Sequence, residues 1–118
     1  MDWKQAIAQH MQWKDEFCAA FSRQEPLDAD TIAQDNCCEL GKWLHGEAKA
    51  KLQRFVSYSE CISEHAAFHA EAAKVARAIN SKQYAEAEAM LCAGARYATA
   101  SASVAAAIVH LGQEADLP

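Results

Sequence analysis

The stretch Ser63–Ala73 reads S-E-H-A-A-F-H-A-E-A-A and places His65 and His69 four residues apart. On a helix both imidazoles leave one face, a turn apart, with Cβ atoms roughly 5–6 Å from each other. Such a pair can chelate one metal ion. The flanking pattern is helical. Tyr58, Ile62, His65, His69, Ala72, Ala76 and Ile79 follow one another by fours and threes, which is the inward stripe of an amphipathic helix. Glu60, Glu64, Glu71, Lys74 and Arg77 lie off it. Both histidines therefore point inward. A buried polar group without a partner costs about 1–3 kcal/mol, so the rest of the chain must supply metal ligands or hydrogen-bond partners.

Residues 3–22 predict a first helix with Asp2 as its N-cap. Trp3, Ile7, His10, Lys14, Phe17 and Phe21 mark one stripe, and His10, Trp13, Phe17 and Ala20 an overlapping one. His10 belongs to both and so points inward, which taken alone describes a core histidine equally well. Residues 23–34 carry Pro26 and several acids and read as the longest connection, with a helical turn at Thr31–Gln34. The next block is D-N-C-C-E-L-G-K-W-L-H-G. Asn36 and Glu39 resemble a capping box, which sets Cys37 and Cys38 in the first turn of a helix. Free N–H groups and the helix dipole favour a thiolate there. Gly41 implies a close neighbour, Trp43 and Leu44 point inward, and Gly46 ends the piece. Glu47 to Phe55 makes a second short segment.

A third helix is expected over residues 57–79 and a long fourth over 84–111. Met90, Tyr97, Val104 and Leu111 recur every seven residues, with Ala93, Ala100 and Ala107 between them. Gly94, Ala98, Ser101, Ala105 and Ile108 form a second small or apolar stripe. A helix apolar on two sides is buried on two sides, which suggests a homodimer contact, although alanine is also simply the strongest helix former. No strand pattern or repeat occurs, and G-Q-E-A-D-L-P reads as a helix stop and tail. The expectation is all-α: one domain over residues 1–118, an antiparallel four-helix bundle with a short, broken second helix.

The chain has 118 residues, 52% of them hydrophobic. No apolar run approaches a membrane span, and no signal peptide is visible. A soluble cytoplasmic protein is the expectation. The net charge of −5 and the lack of a basic stripe argue against nucleic acid. Five cysteines (Cys18, Cys37, Cys38, Cys61, Cys92) are an odd set for a disulfide framework and favour metal or redox chemistry for at least one of them.

His10, Cys38, His65 and His69 make a candidate ligand set on three helices. Three imidazoles and a thiolate suit tetrahedral Zn²⁺, whereas Mg²⁺ and Ca²⁺ require oxygen. Metal sites in helical bundles are built from inward side chains on facing helices. Four protein ligands leave no open position for catalysis. Ala66 stands where H-E-x-x-H needs its glutamate, and no Glu-x-x-His pair occurs. The expectation is no enzyme activity.

H-M-Q-W-K at His10–Lys14, C-E-L-G-K-W-L-H-G at Cys38–Gly46 and H-A-A-F-H-A-E-A at His65–Ala72 together resemble the chemoreceptor zinc-binding (CZB) domain family. Its pattern is a distant His, then C-x-L/F-G-x-W/Y, then H-x-x-x-H. The resemblance carries the ligand role to His10, Cys38, His65 and His69. Cys37 does not fit, because its spacing to the glycine is one too long. The resemblance implies a bacterial, cytoplasmic, dimerising four-helix bundle. It implies service to chemotaxis receptors or diguanylate cyclases, or as a free-standing protein, in sensing zinc or oxidants such as hypochlorous acid. The match starts within ten residues of Met1, which suggests an N-terminal regulatory domain or a free-standing protein.

Two triggers follow for a sensor: zinc occupancy, or oxidation of Cys38 to a sulfenic acid that ligates poorly. The alternatives are a structural zinc site in an interaction module without sensing, and a metal-free bundle with hydrogen-bonded histidines. His45 and His110 read as solvent-facing and Cys18 and Cys92 as packing residues. Cys61 reads as core filling or as a thiol beside the site, and Cys37 as a small half-buried residue, with a resolving thiol as the alternative. Trp13, Trp43 and Phe68 shield the site, and Asp35 and Glu39 are candidate acceptors for a ligand N–H.

Overall fold

The inward stripe around His65 and His69 forms the longest helix of the chain, and the other elements pack on it. A computed structural model describes residues 3–23, 25–36, 38–91 and 95–115. In chain order the helices are α1 (Trp3–Arg23), α2 (Ala29–Ile32), α3 (Glu39–His45), α4 (Glu47–Leu52), α5 (Val56–Asn80), α6 (Tyr84–Leu91) and α7 (Arg96–Glu114). No strand occurs among the described residues. The expected bundle is present, with α3 and α4 as the short broken second helix. Gly46 is the C-cap of α3 and the N-cap of α4, and a Cβ there would lie 2.8 Å from the Lys42 carbonyl oxygen.

The helix directions follow from paired contacts. The Ser57 hydroxyl donates to Glu114 Oε1 at 2.9 Å, and Glu60 Oε1 lies 3.3 Å from His110 Nδ1. Early α5 thus meets late α7, and the two helices are antiparallel. Met11 meets Ser101 and Phe17 meets Tyr97, so α1 also runs antiparallel to α7. His10 meets His65 and Trp13 meets Phe68, so α1 and α5 are parallel.

The core is apolar and closely packed. Tyr58, Cys61, Phe68, Ala72, Val75, Ala76 and Ile79 of α5 are buried with Phe17, Leu40, Leu44, Tyr97, Val104, Ile108 and Leu111. The stripe on α5 holds along its length, with Ile62 only half-buried. The Tyr58 hydroxyl donates to the Leu44 carbonyl at 2.6 Å and ties α3 to α5.

Two boundaries differ from expectation. The fourth helix is not continuous from Tyr84 to Leu111. Among the described residues α6 reaches Leu91 and α7 begins at Arg96, with Ala95 extended at φ −77°, ψ 166° as its N-cap. The seven-residue repeat crosses the break because Met90 and Tyr97 still face α5, so side-chain periodicity does not reveal it. At the other end α7 runs through Gly112 to Glu114. Gly112 is buried rather than a stop, because the packing of the preceding turns carries the helix across it.

Of the second small-residue stripe, Ala98, Ser101 and Ala105 are half-buried and Ile108 is buried, while Gly94 lies outside the described residues. Ser101 Oγ approaches Met11 Sδ at 3.7 Å, so α1 covers part of this face. Among the described residues no helix is long and apolar enough to cross a membrane.

Candidate metal centre

Three helical elements bring the four predicted donors together. His10 comes from the middle of α1, His65 and His69 from successive turns of α5, and Cys38 from the N-cap of α3. Their donor atoms all lie within 4.8 Å of one another. His65 Nε2 is 2.9 Å from His69 Nε2 and 3.2 Å from His10 Nε2. Cys38 Sγ is 3.3 Å from His65 Nε2, 3.5 Å from His69 Nε2 and 3.8 Å from His10 Nε2.

Backbone carbonyls fix two of the rings. His10 Nδ1 donates to the Ala6 carbonyl at 2.7 Å, and His69 Nδ1 donates to the Ile32 carbonyl at 2.8 Å. Each bond assigns the proton to Nδ1 and leaves the Nε2 lone pair facing the centre. The acceptors are therefore not the carboxylates expected. Asp35 lies 3.2 Å from His45 instead, and the Glu39 side chain lies outside the described residues. His65 Nδ1 is buried with no hydrogen-bond partner among the described residues.

The donor set fits a tetrahedral cation. Zinc bonds of about 2.0–2.1 Å to nitrogen and about 2.3 Å to sulfur space two nitrogens by about 3.3 Å and a nitrogen from sulfur by about 3.6 Å. The nitrogen–sulfur separations of 3.3–3.8 Å bracket the second value, and the nitrogen–nitrogen separations of 2.9 and 3.2 Å fall just short of the first. Lone pairs converging on one point repel unless a cation or proton sits among them, and an uncompensated cluster of this kind is costly in a low-dielectric interior.

The family model of the chemoreceptor zinc-binding domain, CZB, matches residues 10–76, more than half of the 118 residues. The chain belongs to this family. The matched span opens on His10 and contains Cys38, His65 and His69. It is a zinc-binding domain. No curated protein and no solved structure matches the chain significantly.

Burial dominates the electrostatics of this CZB domain. His65, His69 and His10 are 0%, 1% and 2% exposed. Desolvation lowers all three imidazole pKa values, and the neighbouring imidazoles push that of His65 further down. All three are therefore held as neutral imidazoles.

Cys38 differs from expectation. It is the N-cap of α3, not a first-turn residue, because its backbone is extended at φ −80°, ψ 164° and its Sγ accepts the Gly41 N–H at 3.3 Å. That bond favours the thiolate, yet burial outweighs it and raises the thiol pKa. The helix N-terminus alone does not ionise Cys38, and a cation at the centre would.

Gly41 explains how Cys38 is held. A Cβ on Gly41 would overlap the Asp35 carbonyl oxygen and sit 3.0 Å from Asn36 Cα. The close approach read from the sequence is therefore the α3 backbone lying against the incoming loop.

Trp13 stacks on His10 with ring centroids 5.8 Å apart and meets His69 edge-on at 5.0 Å. Phe68 is fully buried at the side of the cluster and Trp43 is half-buried. A cleft of about 150 Å³, lined by Trp13, Thr31, Ile32, Gln34, Cys38 and His69, reaches the site from solvent. Cys38 is the one donor of the four that is only half-buried.

The remaining polar residues divide. His45 and His110 are exposed, as expected, beside Asp35 and Glu60. Cys61 is fully buried and its thiol pKa is pushed up to about 12 by burial, which marks it as inert core. Cys18 is exposed and so is not a packing residue, because it follows the buried Phe17 around the helix onto the outer face. Cys37 and Cys92 lie outside the described residues.

Sequence reasoning missed the Ala6 and Ile32 carbonyls. Ala6 stands one turn before His10, a spacing that could have pointed to it. Ile32 is distant in sequence and has no side-chain signature.

Proposed function

We propose that this chain is a zinc-dependent sensory domain in which His10, Cys38, His65 and His69 are the metal ligands and Cys38 is the oxidant-responsive one. The access to Cys38 supports this reading most directly: Cys38 is half-buried beside a cleft open to solvent, whereas the three imidazoles are at most 2% exposed, even His69, which also lines the cleft. An oxidant the size of hypochlorous acid has a path to the sulfur through this cleft.

Zinc supplies the positive charge that keeps Cys38 ionised and ties α1, α3 and α5 into one unit. His10 and His69, with their protons held on Nδ1, present their Nε2 lone pairs without first shedding a proton near neutral pH. Cys38 Sγ attacks the chlorine of hypochlorous acid as the Cl–O bond breaks and hydroxide leaves, and water then displaces chloride from the sulfenyl chloride to give the sulfenic acid. The protonated product is a poorer ligand, so the hold on the N-cap of α3 loosens. A four-ligand site leaves no room for an activated water, which is why we assign sensing rather than catalysis.

Within this reading the domain works in the cytoplasm as a homodimer through the α7 face of Ala98, Ser101 and Ala105. Its output is a diguanylate cyclase or chemoreceptor signalling partner. The small residues Ala98 and Ala105, half-buried beside the part of the face that α1 covers at Ser101, support the dimer.

Stoichiometric hypochlorous acid should release or rearrange zinc in the wild-type protein and do so far more slowly in Cys38→Ala. Equal release from both proteins excludes Cys38 as the trigger. No release from either leaves a structural zinc site in an interaction module.

A further inference from the structure

The connection between α1 and α3 is a strap anchored at both ends on α5. At its far end Leu27 and Asn80 exchange two hydrogen bonds. The Leu27 N–H donates to Asn80 Oδ1 at 2.7 Å, and Asn80 Nδ2 donates to the Leu27 carbonyl at 2.7 Å. At its near end the Ile32 carbonyl accepts the His69 Nδ1–H at 2.8 Å.

The piece between these anchors is stiff. Asp28 caps α2 by accepting from the Thr31 N–H at 3.2 Å and from the Thr31 hydroxyl at 2.7 Å. Ala29 is buried. Ile32 N and Ala33 N donate to the Asp28 and Ala29 carbonyls at 3.0 and 2.9 Å. The Ile32 carbonyl lies in the last turn of a four-residue helix, where carbonyls have no intrahelical partner. It is therefore free to hold an imidazole.

We infer that Asn80 is a positioning residue for the metal centre: its two bonds to Leu27 set the strap so that the Ile32 carbonyl orients His69 and the strap walls the cleft beside Cys38. Asn80 lies eleven residues beyond His69 on the same helix, about 16 Å along the axis at 1.5 Å per residue. It touches neither the donors nor the cleft. Its reach to them runs through the rigid turn 27–33. The exposed ion pair between Arg77 and Asp30 at 3.7 Å is too long and too solvated to replace it. His10 provides an internal contrast, because its Nδ1 is held by Ala6 of its own helix, with no connection to the strap.

This inference rests on His69 as a zinc ligand only for its effect on the metal; the positioning of the ring can be measured separately. The experiment follows the two imidazole Nδ1–H protons by NMR in zinc-loaded wild-type, Asn80→Ala and Asn80→Asp proteins, alongside zinc transfer to a chelator. In Asn80→Ala the His69 Nδ1–H should exchange with water about tenfold faster, as expected on losing roughly one net hydrogen bond's worth of protection. Zinc transfer should accelerate with it, while the His10 Nδ1–H is unchanged. Asn80→Asp keeps the acceptor for Leu27 N–H and should fall between.

Equal acceleration of both protons would make Asn80 a general stabiliser, and no acceleration would make it a bystander; either overturns the inference. If the wild-type protein takes up no zinc, the metal reading fails on its own, and the His69-against-His10 comparison is still made on the metal-free protein.

Discussion

His65 and His69 place their Nε2 atoms 2.9 Å apart at the centre of a buried cluster. The backbone bond on His69 Nδ1 turns its Nε2 lone pair toward that centre. Two such nitrogens approach this closely only with a proton or a cation between them. The same relationship sets the chemistry of the site, since a proton and a metal compete for it.

That competition fixes the direction of the pH dependence. Burial lowers the imidazole pKa values of His10, His65 and His69 below 6.5 in the folded protein. The unfolded chain takes up these protons with pKa values near 6.5. Folding stability from the neutral cluster is therefore fully present above about pH 6.5 and declines as pH falls from there toward the folded values. Thermal melts of the metal-free protein should show Tm falling between pH 7.5 and 5.5. A Tm that is flat or rises over that range contradicts the burial of neutral imidazoles. Zinc affinity should also fall over this range, for a different reason: binding must displace the proton of the Cys38 thiol, whose pKa burial raises.

Gly41→Ala sets two effects against each other. Alanine gains about 1 kcal/mol of helix propensity over glycine. The new Cβ overlaps the Asp35 carbonyl, and relieving such overpacking costs about 1–3 kcal/mol. The obstacle is backbone, which cannot swing aside as a side chain can, so the steric cost should win. Urea denaturation is expected to show a destabilised protein with weaker zinc retention, because the same loop leads into Cys38. A stabilised Gly41→Ala protein would mean that α3 does not lie against this loop.

Glu114 closes the opposite end of the bundle. Its Oε1 accepts from the Ser57 N–H at 3.3 Å and from the Ser57 hydroxyl at 2.9 Å. Phe55 occupies the N-cap of α5 and makes no side-chain cap, so Glu114 serves α5 as a cap from a distant helix. Glu114→Ala should cost about 1 kcal/mol, the typical loss of an N-cap acceptor, and Glu114→Gln should cost less because it keeps an oxygen. Chemical denaturation of the three proteins checks the order; an unchanged midpoint in Glu114→Ala removes the capping role.

How much of this was legible in the sequence depended on the kind of interaction. His10, His65 and His69 were visible because helical periodicity places them on inward faces, and the structure buries all three. Cys38 was legible from its position at a helix start, though as the N-cap it sits two places earlier than expected. The tight contact at Gly41 was legible because a glycine within a helical pattern calls for a reason. The break before Arg96 was hidden, since Met90 and Tyr97 keep the seven-residue period across it. The Ile32 carbonyl, Asn80 and Glu114 were hidden for a different reason. Each acts on a residue far away in the chain through a backbone or polar contact that leaves no periodic trace. The ionisation of Cys38 was misjudged because desolvation, which depends on packing, outweighs the local N–H bond.

The most direct test is zinc-edge X-ray absorption on the purified protein. Three imidazoles and one thiolate predict one zinc per chain with three nitrogen scatterers at about 2.0–2.1 Å and one sulfur at about 2.3 Å. The sulfur shell should vanish in Cys38→Ala. A zinc shell without sulfur in the wild-type protein, or a sulfur shell that survives Cys38→Ala, would contradict the four-residue site.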